Sequence, residues 1–189
     1  MKKLVIFGSG AGSNAVNICR YFKNSSDIEV VLICTNNKDA FIVDRAKKLN
    51  IPLVFTSKTG LLKLDDLAKT LKNYDVDYII LAGFLLKIPS RMISTYPNKI
   101  INLHPSLLPK YGGKGMYGSN VHEAVLENKE IKTGITIHLV NQNYDEGKII
   151  KQYVCDISKA ESLSSLENKI HKLEINNFPK TLEKYILKN

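Results

Sequence analysis

Asn102 and His104, in the run Ile100-Ile101-Asn102-Leu103-His104-Pro105, are the pair whose types and spacing suit chemistry on a carbonyl group. An amide can donate a hydrogen bond to a carbonyl oxygen, and an imidazolium can supply or shuttle a proton as charge develops there. Residues i and i+2 of an extended strand share a face, so both side chains would address one point. Ile79-Ile80-Leu81-Ala82 and Ile100-Ile101 read as neighbouring buried strands. The pair would therefore emerge at a strand's carboxyl end, where open α/β sheets bind ligands, and Pro105 stops the strand. A lone Asn-x-His is more often a core histidine beside a turn. The surroundings reverse that reading.

The elements that must position such a pair are legible on either side of it. Lys3 to Phe7 is a short apolar strand, followed by Gly8-Ser9-Gly10-Ala11-Gly12-Ser13-Asn14 and then the helical pattern Ala15 to Phe22. This turn offers backbone N–H groups at a helix N-terminus, a setting that favours an anionic phosphate. A dinucleotide site is the alternative, but Ser13 stands where Gly-x-Gly-x-x-Gly needs its third glycine. Thr35-Asn36-Asn37 also offers no acidic residue after the second strand. A nucleotide-monophosphate-like ligand is favoured over NAD.

Strands at Val30 to Thr35 and Pro52 to Phe55 alternate with helices at Phe41 to Leu49 and Asp65 to Tyr74. The alternation predicts an α/β fold: a single Rossmann-like domain with a mostly parallel twisted sheet and right-handed crossovers. After Pro105, Lys110 to Gly118 is a glycine-rich loop able to close over a ligand, and a helix follows near Val121 to Leu126. Thr133 to Val140 and Lys148 to Val154 read as strands flanking Asn141 to Gly147, a C-terminal antiparallel extension of the sheet. Ser164 to Leu187 reads as an amphipathic helix interrupted at Pro179.

A length of 189 residues predicts one domain, and 44% hydrophobic with 24% charged residues is ordinary for a soluble globular protein. No apolar run approaches the ~18 residues of a membrane span, and glycines enter too early for a signal peptide. Cys19, Cys34 and Cys155 are scattered, which suits reduced thiols in a cytoplasm and implies no metal site. The net charge of +9 is dispersed over lysines without a nucleic-acid-binding motif, so it reads as surface composition that helps attract phosphorylated anions.

Asn102-Leu103-His104-Pro105-Ser106-Leu107-Leu108-Pro109, with Gly134-Ile135-Thr136-Ile137-His138 and Tyr144-Asp145-Glu146-Gly147 downstream, resembles the folate-dependent formyltransferase superfamily. The resemblance runs from the glycine turn to Glu174. It is strongest to the members that formylate 5-phosphoribosylglycinamide in purine synthesis. It implies the formyltransferase fold, with residues 1–100 as a Rossmann-like phosphate-binding half and 101–189 as a catalytic and folate-binding half. It also implies 10-formyltetrahydrofolate as co-substrate without a metal, and a monomer or homodimer acting on small molecules.

The same resemblance implies roles for single residues. Asn102, His104 and Asp145 form the catalytic set. Asp145, which alone reads as a turn residue, raises the His104 pKa and holds a proton-shuttling water. Gly12, Ser13 and Asn14 take the substrate phosphate, and Glu174 the ribose hydroxyls. Leu85, Leu86, Lys87 and Ile88 wall the pterin cleft, which Asn102 and the loop Asn141, Gln142, Asn143, Tyr144 and Asp145 embrace. Relatives carry a basic residue at the position of Leu86 and some an arginine near Gly60. Neither is matched, so Lys58, Lys63 or Lys87 would have to meet the folate glutamate tail. His122 reads as a helix-surface residue and His138 as strand-borne, neither with a catalytic role. Methionyl-tRNA formyltransferases and formyltetrahydrofolate deformylases would need a further domain for which this length has no room, while sugar N-formyltransferases share the core. A non-enzymatic nucleotide-binding module would account for the glycine turn and leave Asn102, His104 and Asp145 unexplained.

Overall fold

A computed structural model describes residues 1–189. The first half alternates as the apolar runs require: β1 (Lys2–Phe7), α1 (Ser13–Phe22), β2 (Ile28–Thr35), α2 (Phe41–Lys48), β3 (Leu53–Phe55), α3 (Lys58–Lys63), α4 (Asp65–Asn73), β4 (Tyr78–Leu81), α5 (Ser90–Thr95) and β5 (Ile100–His104). Then come α6 (Ser119–Glu127), β6 (Lys132–Leu139), β7 (Ile149–Asp156) and α7 (Leu163–Lys188). Helices α3 and α5 span six residues each, too short for an apolar period to repeat, and the sequence pattern did not reveal them.

All seven strands form one sheet in the order β3-β2-β1-β4-β5-β6-β7. Pairing is parallel from β3 to β5 and antiparallel at β6 and β7. Successive residues of a strand face opposite sides, and here both sides are covered. Leu4 and Ile6 pack with Ile18, Ile42, Ile170 and Phe178 on one side; Val5 and Phe7 pack with Leu61, Leu67, Leu71 and Met92 on the other. The chain steps outward from β1 to β3 and then returns to β4 beside β1. The order thus reverses between β1 and β4, and a crevice opens there outside the carboxyl ends of the strands. The glycine turn after β1, Gly83 after β4 and His104 at the end of β5 all reach it.

Helix α7 corrects one expectation, because it runs unbroken through Pro179. A proline inside a helix deprives the carbonyl four residues earlier of its donor. That carbonyl is Ile175's, and the Asn17 side-chain amide of α1 donates to it at 2.8 Å. The lost bond is replaced from outside, and Phe178 and Pro179 stay buried.

The loop between β6 and β7 folds back across the sheet, and Gly147 is where it crosses its own strand. A Cβ there would lie 1.7 Å from the Leu139 carbonyl oxygen. Gly147→Ala must push the loop off β6 and should lower the unfolding free energy by about 1–3 kcal/mol. Urea denaturation should register this as a lower midpoint at unchanged slope; an unshifted midpoint would mean that the crossing is not tight.

Candidate active site

Strand β5 sets Asn102 and His104 on one face, as the i, i+2 spacing predicts. Antiparallel β6 lies alongside, pairing Asn102 with His138 and His104 with Thr136. Directly opposed residues of paired strands share a face, so His138 joins the site. Its Nδ1 sits 2.8 Å from the Leu139 carbonyl, to which it can only donate, leaving Nε2 with a lone pair. The Asn102 amide nitrogen approaches that lone pair at 3.0 Å and Asp145 Oδ1 at 3.4 Å. Both neighbours are acceptors, so the amide must present its NH2 to them. His138 therefore fixes the orientation of Asn102, a positioning role the sequence reading did not assign.

Below this layer, buried Thr136 organises the turn that follows His104. Its hydroxyl donates to the Ser106 carbonyl at 2.6 Å and accepts from Leu108 N at 3.0 Å and Gln152 Nε2 at 2.9 Å. The one O–H and both lone pairs of the hydroxyl are thus used, as burial requires.

His104 is 4% exposed, and its Nε2 donates to the Tyr111 carbonyl at 2.7 Å. Tyr111 has φ +57°, and its hydroxyl donates to Glu130 at 3.0 Å, which pins the loop that carries the carbonyl. The other ring nitrogen, Nδ1, lies 3.6 Å from Asp145 Oδ2. Burial lowers the His104 pKa below the ordinary 6.5, and it outweighs the upward pull of the Asp145 charge and the Tyr111 carbonyl. The expected direction of the Asp145 effect is right, but the resting ring is neutral rather than imidazolium, because desolvation disfavours the charged form more. Neutral His104 thus carries its proton on Nε2 and a lone pair on Nδ1 beside the cleft.

Asp145 sits in the returning loop with φ +57° and only 11% of its side chain exposed. Its Oδ2 accepts from Gly113 N at 2.9 Å, and its Oδ1 lies 3.6 Å from His138 Nε2. Burial alone would raise this carboxyl, but the proximity of His104 and the Gly113 N–H together hold it below its ordinary 3.8. It is ionised at neutral pH.

Asn102, His104, His138 and Asp145 line a cleft of about 590 Å³. The turn before α1 lines it with Gly10, Gly12, Ser13 and Asn14. Gly12 caps the helix at φ +77° with no side-chain cap, leaving N–H groups open, and a Cβ there would lie 2.7 Å from Ile42. Asn14 Nδ2 donates to Glu174 Oε2 at 2.8 Å, so the two residues meet across 160 positions of chain. Leu85, Leu86, Lys87 and Ile88 line it after β4, and Val140, Asn141, Asn143 and Tyr144 line it from the loop after β6. Lys87 Nζ stands 5.3 Å from the Tyr144 ring centroid, bridging the two walls.

The chain matches the formyl transferase family over residues 2–182. It belongs to that family. The phosphoribosylglycinamide formyltransferase of Bacillus subtilis is 32% identical over 191 residues, which cover 98% of this chain and 95% of that protein. The chloroplastic phosphoribosylglycinamide formyltransferase of Arabidopsis thaliana is 38% identical over 184 residues, 92% of this chain and 63% of that one. The chain thus spans less than two thirds of the plant relative. The crystal structure of phosphoribosylglycinamide formyltransferase from Bacillus halodurans superposes with a TM-score of 0.86 at 30% identity, covering 97% of this chain and 94% of that chain. Its likeness extends over the seven-stranded, mostly parallel sheet with its antiparallel end.

Two expectations about the lining of this cleft need correction. Gln142 is exposed and does not line the cleft, unlike Asn141, Asn143, Tyr144 and Asp145. His122 is not a surface residue: it is 6% exposed and faces the cleft from α6, which is covered by α7. Of the three lysines proposed for the glutamate tail, Lys87 lines the cleft; Lys58 and Lys63 do not.

Removing the Asp145 charge should move His104 in a defined direction. The carboxylate favours the protonated ring, so Asp145→Asn should lower the His104 pKa further below 6.5. Titration of the ring by NMR in both proteins measures the difference. An unchanged value would mean that the carboxylate does not act on His104 through charge.

Proposed function

We propose that this chain transfers the formyl group of 10-formyltetrahydrofolate to the amino group of 5-phosphoribosylglycinamide, a step of purine synthesis. One observation carries the reading. Asn102, His104 and Asp145 come together in a cleft whose lining differs in chemistry from place to place, with a helix N-terminus beside Glu174 in one part and the apolar Leu85, Leu86 and Ile88 in another. The first part suits a phosphorylated sugar: Gly12, Ser13 and Asn14 would hold the phosphate through N–H groups and Glu174 the ribose hydroxyls. The second suits a flat pterin, held by Leu85, Leu86, Ile88 and the 141–145 loop. Of Lys58, Lys63 and Lys87, only Lys87 lines the cleft, so it would meet the folate's glutamate. Cytoplasmic work with reduced thiols fits the same reading, and the named relatives above favour it.

The reaction joins an amine nitrogen to a formyl carbon and releases the folate nitrogen, so protons must leave one nitrogen and reach the other. His104 Nδ1 carries the lone pair that can take the amine proton directly or through a water held by Asp145. Once protonated, His104 lies beside Asp145, whose charge then stabilises the imidazolium, and the ring can hand the proton to the departing folate nitrogen. Asn102 supplies the donor for the oxygen that becomes negative at the formyl carbon. Its 3.4 Å bond to Asp145 is the longer of its two and the one a substrate oxygen displaces. His138 and Thr136 act by holding these groups in place.

The test mixes the protein with 10-formyltetrahydrofolate and a panel of amines and follows tetrahydrofolate release. Release should require 5-phosphoribosylglycinamide, and His104→Ala should reduce it by ~10²–10⁴-fold while acceptor binding persists. Release independent of any amine would make the chain a hydrolase, and near-normal turnover by folded His104→Ala would remove His104 from the chemistry.

A further inference from the structure

The cleft wall between the glycine turn and His104 holds two buried polar atoms with no hydrogen-bond partner in the protein: His122 Nδ1 and Asn14 Oδ1. Buried polar atoms of folded proteins are paired, and an unpaired one costs the full desolvation of the group. Neither atom sits in a closed core, since both residues line the cleft. The Asn14 amide is held by Glu174, which accepts from Nδ2 and so turns Oδ1 into an unmatched acceptor. The bonds to Glu174 from Asn14 and His171 both fall on Oε2, which leaves Oε1 able to accept another.

His122 lies among these groups. Burial lowers its pKa, against the opposing pull of the Glu167 and Glu174 charges, and His104 is close enough to lower it further. The neutral ring carries one N–H and one lone pair. The terminal torsion of a histidine is broad and roughly two-fold, so either nitrogen can be turned to the cleft.

We propose that His122 is a specificity-determining residue for the sugar of the acceptor. Two vicinal hydroxyls have two protons to donate and oxygens that accept. Asn14 Oδ1 and Glu174 Oε1 take the protons, and the His122 N–H donates to one of the hydroxyl oxygens. The assignment rests on the acceptor lying in this part of the cleft, as proposed above. It extends recognition of the diol from Glu174 to a three-point receptor drawn from α1, α6 and α7.

The test compares 5-phosphoribosylglycinamide with its 2′,3′-dideoxy analogue in wild type, His122→Phe and His122→Gln. His122→Phe keeps a ring in the site and removes the donor. The KM for the ribo-acceptor should rise about tenfold with kcat little changed, as expected for one lost hydrogen bond that is equal in ground and transition states. The dideoxy acceptor should be used equally by wild type and His122→Phe, and His122→Gln should recover part of the loss. An equal loss on both acceptors, or a loss in kcat alone, would overturn the proposal. The ring-nitrogen NMR resonances of His122 in the wild-type protein give a readout that needs no variant. They should move on adding the ribo-acceptor and not the dideoxy one, and identical behaviour with both would also overturn it. Failure of wild type to formylate either acceptor would instead bring down the reaction itself.

Discussion

The Asp145 carboxylate ties three separate segments to the end of β5, and the geometry of the site depends on it. It accepts from Gly113 of the glycine loop, reaches Asn102 and lies beside both His104 and His138. A buried charge is tolerable only when its lone pairs are matched, because losing its hydration is expensive. Each match here is also a positional constraint. The Gly113 bond holds the glycine loop near the cleft, and the left-handed backbone at Asp145 with the close crossing at Gly147 turns the returning loop inward. Position and charge are therefore delivered together.

That carboxylate stands against a neutral histidine, and the opposition gives the site its chemical sense. Burial holds His104 unprotonated while Asp145 waits 3.6 Å from the nitrogen that would take a proton. A ring protonated at rest would have no lone pair for the amine proton, and a ring without the carboxylate would hold that proton poorly. In the proposed reaction that environment would make His104 a base first and an acid afterwards. The sign also fixes a linkage. A histidine kept neutral by folding contributes stability above its unfolded pKa and loses it as pH falls through the lower folded one, so His104 opposes folding in acid.

What could be read in the sequence follows from the distance over which each feature is decided. Asn102 and His104 were legible because strand periodicity is local, and so was the glycine turn, whose strand and helix adjoin it. The role expected of Asp145 came only from resemblance, since its partners at Asn102 and Gly113 lie far off in the chain. His138 escaped because its part depends on the register of β6 against β5, which no local pattern specifies. The helix through Pro179 escaped for the same reason: the bond that rescues it comes from Asn17, 158 residues away. His122 looked exposed because Val121 and Val125 define only one stripe of α6, whereas that helix packs against α7 and also fronts the cleft.

The central claim is that the formyl group passes directly from one nitrogen to the other within this cluster, without water or a protein side chain taking the carbon. A donor whose formyl carbon and oxygen are both isotopically labelled tests it in a single incubation at neutral pH. The account predicts one acceptor formylated per tetrahydrofolate released, with both labels retained by mass spectrometry. Labelled formate in place of formylated acceptor, or acceptor that keeps the carbon label and loses the oxygen label, would contradict it.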